Sequence, residues 1–249
     1  MRPLAVVVPA LDEASGIGAL LAALAGQTDL DFTLVVVDNG SRDGTASVVR
    51  AFPAPFPVVV VDEPLPGAGT AADTGFRHAI GLGARVVLRT DADCCPAPDW
   101  VAVARGLLAD GAEMVCGRSV PRADEGVGVV RHVFPYAVRL AALYGRFRAA
   151  HRSPEFRAPY VLVHGHNLAI TADLYVRCGG LPRYPLGAGS DDVDLLNRAR
   201  RHSSRIVRSE RLVVHNSLRR LRSWGARRTL LWYWDRRYRP TSPAAEHVR

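Results

Sequence analysis

The chain has 249 residues, 48% of them hydrophobic, which supports a real core in one large domain or two small ones and excludes disorder and fibre. Its formal net charge is +8 and all 32 of the side chains counted as Lys or Arg are arginine, which suits phosphate-bearing ligands, acidic surfaces or nucleic acid, or reflects a compositional bias. No apolar run approaches the roughly 20 residues of a membrane span, and Met1–Glu13 lacks the features of a secretory leader, so a cytoplasmic protein is expected.

The first half alternates strand and helix. Leu4–Val8 is a β-branched apolar run ended by Pro9, and Ser15–Ala25 carries Ile17, Leu20, Leu21 and Leu24 on one helical stripe. Phe32–Val37 is the next strand, followed by DNGSRDGT and a helix to about Arg50 with Ser41 as N-cap. Pro57–Val61 and Arg85–Leu88 are strands flanking a Gly69–Ile80 helix, and Pro96 and Pro98 introduce a helix to about Ala109. This β-α-β-α order with wholly apolar strands predicts a mostly parallel sheet covered on both sides.

The second half is less regular. Val129–Ala149 reads as helix, APYVLVHGHNLAI as strand-like stretches around a glycine turn, Asp191–Arg201 as helix capped by Ser190, and Arg205–Val214 as strand. There is no repeat, low-complexity tract or linker. Cys94, Cys95, Cys116 and Cys178 form no CxxC pair and no zinc spacing, so reduced thiols are expected.

Residues 89–94 read RTDADC, directly after a strand. Asp91 and Asp93 can hold a divalent cation against a diphosphate, or form an acid-rich turn. Alternatively Asp91 is the ribose acid of a dinucleotide fold, since Gly67–Ala72 reads GAGTAA upstream. Against that last reading, DEPLPG separates the glycines from their strand, where the fingerprint requires a tight turn. Ligands of an open parallel sheet collect beyond the carboxyl ends of its strands. Pro9–Glu13, Asp38–Ser41, Asp62–Gly67 and Thr90–Asp93 all follow strands and should line one crevice. These loops are acidic in a basic protein, and a hard cation turns their repulsion of a diphosphate into attraction.

VVVPALDE, VVVDNGSRDGT, RTDADC, GHNLAITADLYVRCGGLP and SDDVDLLNRARR, in that order, resemble the family-2 glycosyltransferases from about Leu4 to Ser217. The resemblance implies an α/β GT-A fold, with a Rossmann-like nucleotide-binding half (1–115) fused to an acceptor half (116–217), followed by a basic aromatic tail (218–249), expected to be helical. It implies metal-dependent transfer from a UDP- or GDP-sugar to an acceptor hydroxyl, with inversion. Asp38 would contact the base or ribose, and a carboxylate can indeed accept from nucleobase N–H groups. Pro9, Ala10, Asp12 and Glu13 would form another wall of the nucleotide site, with Gly67 and Asp91-Ala92-Asp93 on the diphosphate side. Asp93 would ligate Mn²⁺ or Mg²⁺ directly, Asp91 would reach the ribose or a metal-bound water, and His215 of LVVHNS would complete the metal set. Imidazole suits Mn²⁺ better than Mg²⁺.

By the same resemblance Asp191-Asp192 stands for the late acidic pair, with Asp192 as general base. Adjacent helical residues diverge by about 100°, so the two cannot share one hydroxyl. His166 and Asn167 fall where relatives line the acceptor side, or they merely satisfy a bend. The chain departs from its relatives at Ala72-Asp73-Thr74-Gly75, where Arg-Asn or Leu-Asn is common; the diphosphate then depends on the metal or on another arginine. Asp12-Glu13 likewise replaces a common Asn-Glu.

The tail carries Arg219, Arg220, Arg222, Arg227 and Arg228 with Trp224, Trp232, Tyr233 and Trp234. It can pack on the catalytic domain, form a homodimer contact, gate the nucleotide, or lie on an anionic membrane beside a lipid-linked acceptor; a small-molecule acceptor is the alternative. A nucleotidyltransferase or other nucleotide-binding α/β protein is the rival function, although PALDEASG is not a glycine-rich phosphate loop. Nucleic acid is not expected as a partner, because it leaves the acidic loops without a purpose.

Overall fold

The computed structural model describes residues 3–122, 152–184, 191–217 and Arg219. Strands β1 (Leu4–Ala10), β2 (Thr33–Asp38), β3 (Val58–Asp62) and β4 (Val86–Arg89) lie side by side in the order β3-β2-β1-β4, all parallel. The sheet continues through β7 (Leu168–Thr171), β6 (Met114–Pro121), β8 (Ile206–Asn216) and β5 (Cys95–Pro96). Here the pattern is mixed: β7 is antiparallel to both β4 and β6, β6 and β8 are parallel, and β5 is antiparallel to β8. The mostly parallel sheet expected from the sequence therefore describes the first four strands, and the reversed β7 makes the rest mixed.

The described helices cover both faces. α1 (Ile17–Ala25), α2 (Thr45–Ala51) and α4 (Trp100–Ala109) pack on one side with Val6 and Val8 of β1. α3 (Ala68–Gly81), α5 (Ala172–Arg177) and α6 (Asp191–His202) pack on the other with Ala5 and Val7. The period-two alternation of β1 thus feeds two cores at once. Each fully buried Val, Leu, Ile or Phe side chain contributes about 1.5–3 kcal/mol relative to exposure. α3 lies close against the sheet because Gly75 has no side chain: a Cβ there would stand 2.5 Å from Val7 Cγ1 and 2.8 Å from Val37 Cγ2.

Two local expectations are corrected. β1 does not end at Pro9 but runs through it to Ala10. Val7 O accepts from Thr90 N, so Pro9 faces the same side two residues on, beyond the last β1–β4 pair at Val7 and Arg89. The β1–β4 ladder stops there, since Pro9 has no N–H to donate to Thr90 O. Ser41 is not the N-cap of α2, which starts at Thr45 behind Gly44, at φ +86°. Asp43 Oδ1 instead accepts from Thr45 N (3.0 Å), and Ser41 is bound elsewhere.

The strands β5 and β6 and the helix α5 had no clear signal in the sequence. MVCGRSVP breaks its alternation with Gly117 and Arg118, and β5 is only 2 residues long. In APYVLVHGHNLAI only Leu168–Thr171 is strand; Leu162 O instead accepts from Arg208 Nη1, 3.1 Å away. The expected Val129–Ala149 helix, the Ser190 cap and the tail beyond Arg219 lie outside the described residues. Among the described residues no helix is long and apolar enough to cross a membrane.

Candidate active site

The carboxyl ends of the parallel strands bring the first group of acids level. Ala10, Asp38 and Asp62 are register partners across β1, β2 and β3. Half-buried Asp38 accepts from Ser41 N at 2.9 Å, and Ser41 Oγ in turn accepts from Asp12 N at 3.0 Å. Asp12 sits at φ +53°, a left-handed conformation few non-glycine residues adopt, and its carboxylate accepts from Arg42 N at 2.7 Å. The loops after β1 and β2 are thus laced into one wall, with Glu13 N donating to Thr45 Oγ1 (2.8 Å) and Ala14 N to Asp43 (2.8 Å). Asn39 fixes the loop after β3. Its amide donates to Glu63 O and Leu65 O, and its oxygen accepts from Gly67 N.

The glycines of GAGTAA serve contacts within the protein. Gly67, at φ +143°, leaves room for Tyr184 O, and a Cβ on Gly69 would stand 2.9 Å from Asp191 Cβ. They let the start of α3 meet the start of α6, as a tight approach of two segments requires.

Asp91 and Asp93 follow β4 and are both half-buried. Burial, reinforced by the charge of Asp91, raises the Asp93 carboxyl above its ordinary value, and Arg219 pulls it the other way. Asp91 Oδ1 is buried and accepts no hydrogen bond among the described residues; Arg89 Nε stands 3.4 Å from it. Arg219 reaches across from the chain after β8, with one nitrogen 2.5 Å from Glu13 Oε1 and 3.5 Å from Asp93 Oδ2. Arg219 thus sets a positive charge against acids that follow both β1 and β4.

Among the described residues no three His, Cys, Asp or Glu side chains are arranged to hold a metal ion. Asp91, Asp93 and His215 are accordingly not assembled as a set of three, although β5–β8 pairing brings His215 beside Cys95, two residues from Asp93. The donor set nonetheless fits a hard cation, which one or two carboxylates and substrate phosphates can hold without a complete protein cage. Cys94 is buried beside Asp93, and burial together with the adjacent acids raises its thiol well above its ordinary value.

The first turn of α6 carries three acids, and each is held by a different element. Asp191 binds the buried Arg89 guanidinium at 2.9 Å. Burial alone would lower the Arg89 pKa, but Asp91, Asp191 and Asp192 outweigh it and keep the side chain charged. Asp192 is 8% exposed and accepts from Gly165 N at 3.1 Å and from Val193 N at 2.8 Å, which fixes its rotamer. Asp194 accepts from Tyr184 OH at 2.9 Å. Arg89 was not among the residues singled out from sequence; its only signal was an arginine ending an apolar strand just before the acids.

His166 is half-buried, with Nε2 2.8 Å from Ser119 Oγ. Burial lowers its pKa, more than the opposing charges of Asp91 and Asp93 raise it. Asn167 is fully buried and ties three elements together. Its amide donates to Arg118 O (2.8 Å) and Leu212 O (2.9 Å), and its oxygen accepts from Trp100 Nε1 (2.9 Å). These bonds make Asn167 a clamp under the site rather than a group turned to solvent.

Glycosyl transferase family 2 matches the chain over residues 5–161. Glycosyltransferase AglE of Haloferax volcanii is 26% identical over 204 residues, 78% of this chain, which spans 60% of the length of AglE. The mannosyltransferase PcManGT of Pyrobaculum calidifontis, solved with GDP-Man and Mn²⁺, is 28% identical with a TM-score of 0.66, covering 100% of this chain and 70% of that one. TarS of S. aureus, solved with UDP-GlcNAc, matches in fold, with a TM-score of 0.62 at 16% identity over 87% of this chain and 59% of its own. With four parallel strands in its first half, acids at their carboxyl ends and a family match across most of its length, the chain belongs to glycosyltransferase family 2 and has the GT-A fold.

Proposed function

We propose that the protein transfers a sugar from a nucleoside-diphosphate sugar to an acceptor hydroxyl, with inversion, in one catalytic domain over residues 1–217. The observation that carries this reading is Asp91 Oδ1, buried and accepting no hydrogen bond among the described residues, beside half-buried Asp93 after the carboxyl end of β4. Asp38, Asp12 and the Pro9–Glu13 loop form the nucleoside wall, and Gly67 lets the loop after β3 approach. Asp93 and Asp91, with His215 on the neighbouring strand, would hold Mn²⁺ or Mg²⁺, which would supply positive charge against the diphosphate and the leaving group. Arg219, already drawn to Glu13 and Asp93, supplies further positive charge at the same end.

Asp192 is the general base. Asp191 is committed to Arg89, whereas Asp192 is oriented by two backbone N–H groups at the start of a helix, where the ionised carboxylate is favoured. It accepts the proton of the attacking hydroxyl, and half-buried His166, bonded to Ser119, adjoins Gly165, whose N–H holds Asp192. PcManGT, with its GDP-Man and Mn²⁺, supports a GDP-sugar as the first donor to examine, with UDP-sugars second. The acceptor is a small molecule or a lipid-linked sugar, and the basic tail brings a cytoplasmic enzyme to the inner face of an anionic membrane.

Thermal shift with GDP, UDP, TDP and NAD, each with and without Mn²⁺, tests the donor reading. Saturation at 100 times Kd stabilises by about 2.7 kcal/mol, or about 5–10 °C for a chain of this size. The expected result is a shift by one nucleoside diphosphate that depends on Mn²⁺. A shift by NAD alone would overturn it.

A further inference from the structure

Residues 180–184, which follow α5, are fastened on both sides. Towards α6, Gly180 O accepts from Arg198 Nη1 (3.2 Å) and Tyr184 OH donates to Asp194 (2.9 Å). Towards the nucleotide-binding half, Arg183 makes three contacts. Its Nη2 lies 2.7 Å from Glu63 Oε2, and its Nη1 lies 3.3 Å from Asp73 Oδ2 and 2.9 Å from Thr74 Oγ1. Glu63 is the first residue after β3, in the loop that Asn39 braces against Gly67. A single guanidinium therefore joins the nucleotide wall, the middle of α3 and the segment that leads into the catalytic turn.

The chemistry at this joint exceeds what packing requires. Asp73 is fully buried and already satisfied by Arg77 Nε (2.9 Å) and Tyr175 OH (2.6 Å), the latter also accepting from Leu181 N (3.1 Å). Glu63, 5% exposed, accepts from Thr74 Oγ1 and Leu65 N, and Arg183 is the cation beside it. Two buried carboxylates thus share one planar fork, a geometry a point charge cannot reproduce. Arg183 itself is 38% exposed and contributes little to either core. Its adjacent residue, Tyr184, holds the same turn that carries Asp192.

We propose that Arg183 is a positioning residue that couples occupancy of the donor crevice to the first turn of α6. Ordering of the loop after β3 around a bound nucleotide fixes Glu63; Glu63 fixes Arg183, and Tyr184 then holds Asp194 and the turn bearing Asp192. This inference rests on the donor reading above, and on Asp192 as the base.

Hydrogen–deuterium exchange of residues 191–196, with and without GDP plus Mn²⁺ and in parallel UDP plus Mn²⁺, tests it in the full chain. In the unsubstituted protein one of the two nucleotides should slow exchange in this turn about tenfold or more. In Arg183→Met the same nucleotide should bind within about threefold of its original Kd but leave exchange of residues 191–196 unchanged; Arg183→Lys, which keeps charge without the fork, should recover only part of the response. Exchange is compared at an equal interval below each variant's Tm, so that general loss of stability does not imitate uncoupling. Full nucleotide-dependent protection in Arg183→Met, or full recovery in Arg183→Lys, would overturn the proposal. Absence of binding by either nucleotide in the unsubstituted protein would overturn the donor reading and the coupling with it. If the nucleotide binds but Asp192→Asn transfers sugar normally, the base assignment alone falls.

Discussion

At the scale of single residues, the site separates two aspartates that adjoin in sequence. Asp191 is the counter-ion of a buried arginine, and Asp192 is presented by a turn amide and its own helix. The predicted divergence of about 100° appears here as two different partners. Replacing Asp192 with Asn should lower transfer by about 10²–10⁴-fold, the usual worth of a general base, while leaving the Mn²⁺-dependent nucleotide shift unchanged. Normal turnover in that variant would remove Asp192 from the mechanism. Replacing Asp93 with Asn should have the converse signature: the nucleotide shift itself is lost, and with it its dependence on Mn²⁺.

Glu63 and Glu113 give the acid limb of stability its sign. Burial works against their ionisation, but hydrogen bonds and arginines outweigh it, from Thr74, Leu65 N and Arg183 at Glu63, and from Arg205, Ser203 and Arg177 at Glu113. Both carboxyls therefore lie below their ordinary value of 4.5 in the folded chain. A group held below its unfolded value stabilises fully above that value, and the contribution is lost as pH falls through the folded one. Tm should thus decline between about pH 5 and pH 3. Glu63→Gln should cost about 1 kcal/mol at neutral pH, a figure discounted for the partly exposed Arg183, and should make the decline shallower. An equally steep acid limb in Glu63→Gln would mean that Glu63 takes no part in it.

At the scale of elements, long apolar runs were readable and short bent ones were not. β1 to β4 announce themselves because both faces of each strand are covered, which leaves almost no polar residue in the run. β6 does not, because Gly117 and Arg118 sit in its middle, at the register shift between Cys116 and Arg118. That irregularity has a purpose. A Cβ on Gly117 would stand 2.3 Å from Asn167 Nδ2, so the glycine admits the amide that clamps β6, β8 and α4. Sequence suggested that Asn167 either met the sugar or satisfied a bend, and its burial favours the second. Asn167→Ala leaves a buried indole N–H and two carbonyls unpaired, at a cost of about 3 kcal/mol, or about 6–12 °C in Tm. An unchanged Tm with lost transfer would restore Asn167 to the sugar. By the same reasoning Gly75→Ala should destabilise by about 1–3 kcal/mol, because α3 cannot retreat from Val7 and Val37 without disturbing its core.

At the scale of the whole molecule, charge is distributed unevenly. Asp12, Glu13, Asp38, Asp91 and Asp93 all lie at or just after the carboxyl ends of parallel strands, yet the chain carries a net +8. That contrast was legible from sequence because strand ends and acids coincide along the chain. Which acids pair with which arginines was not, since Arg89–Asp191, Arg183–Glu63 and Arg219–Glu13 span 102, 120 and 206 positions. Such pairs depend on where the second half of the sheet lands, and no local period encodes it. The positive excess itself follows Arg198 and is interleaved with Trp224, Trp232 and Trp234. If it attaches the enzyme to an anionic surface, each arginine near the headgroups contributes about 1 kcal/mol, and the attraction must fade with the screening length, from about 10 Å at 0.1 M salt to about 3 Å at 1 M. The full chain should therefore sediment with phosphatidylserine-containing vesicles at about 0.1 M salt, release at about 1 M, and ignore neutral vesicles. Replacing the three tryptophans with alanine should weaken sedimentation while preserving its salt dependence, because the rings insert and the guanidinium groups attract. Failure to bind anionic vesicles at low salt would leave the tail as a packing or dimer element, which sedimentation equilibrium of the same preparation would distinguish by mass.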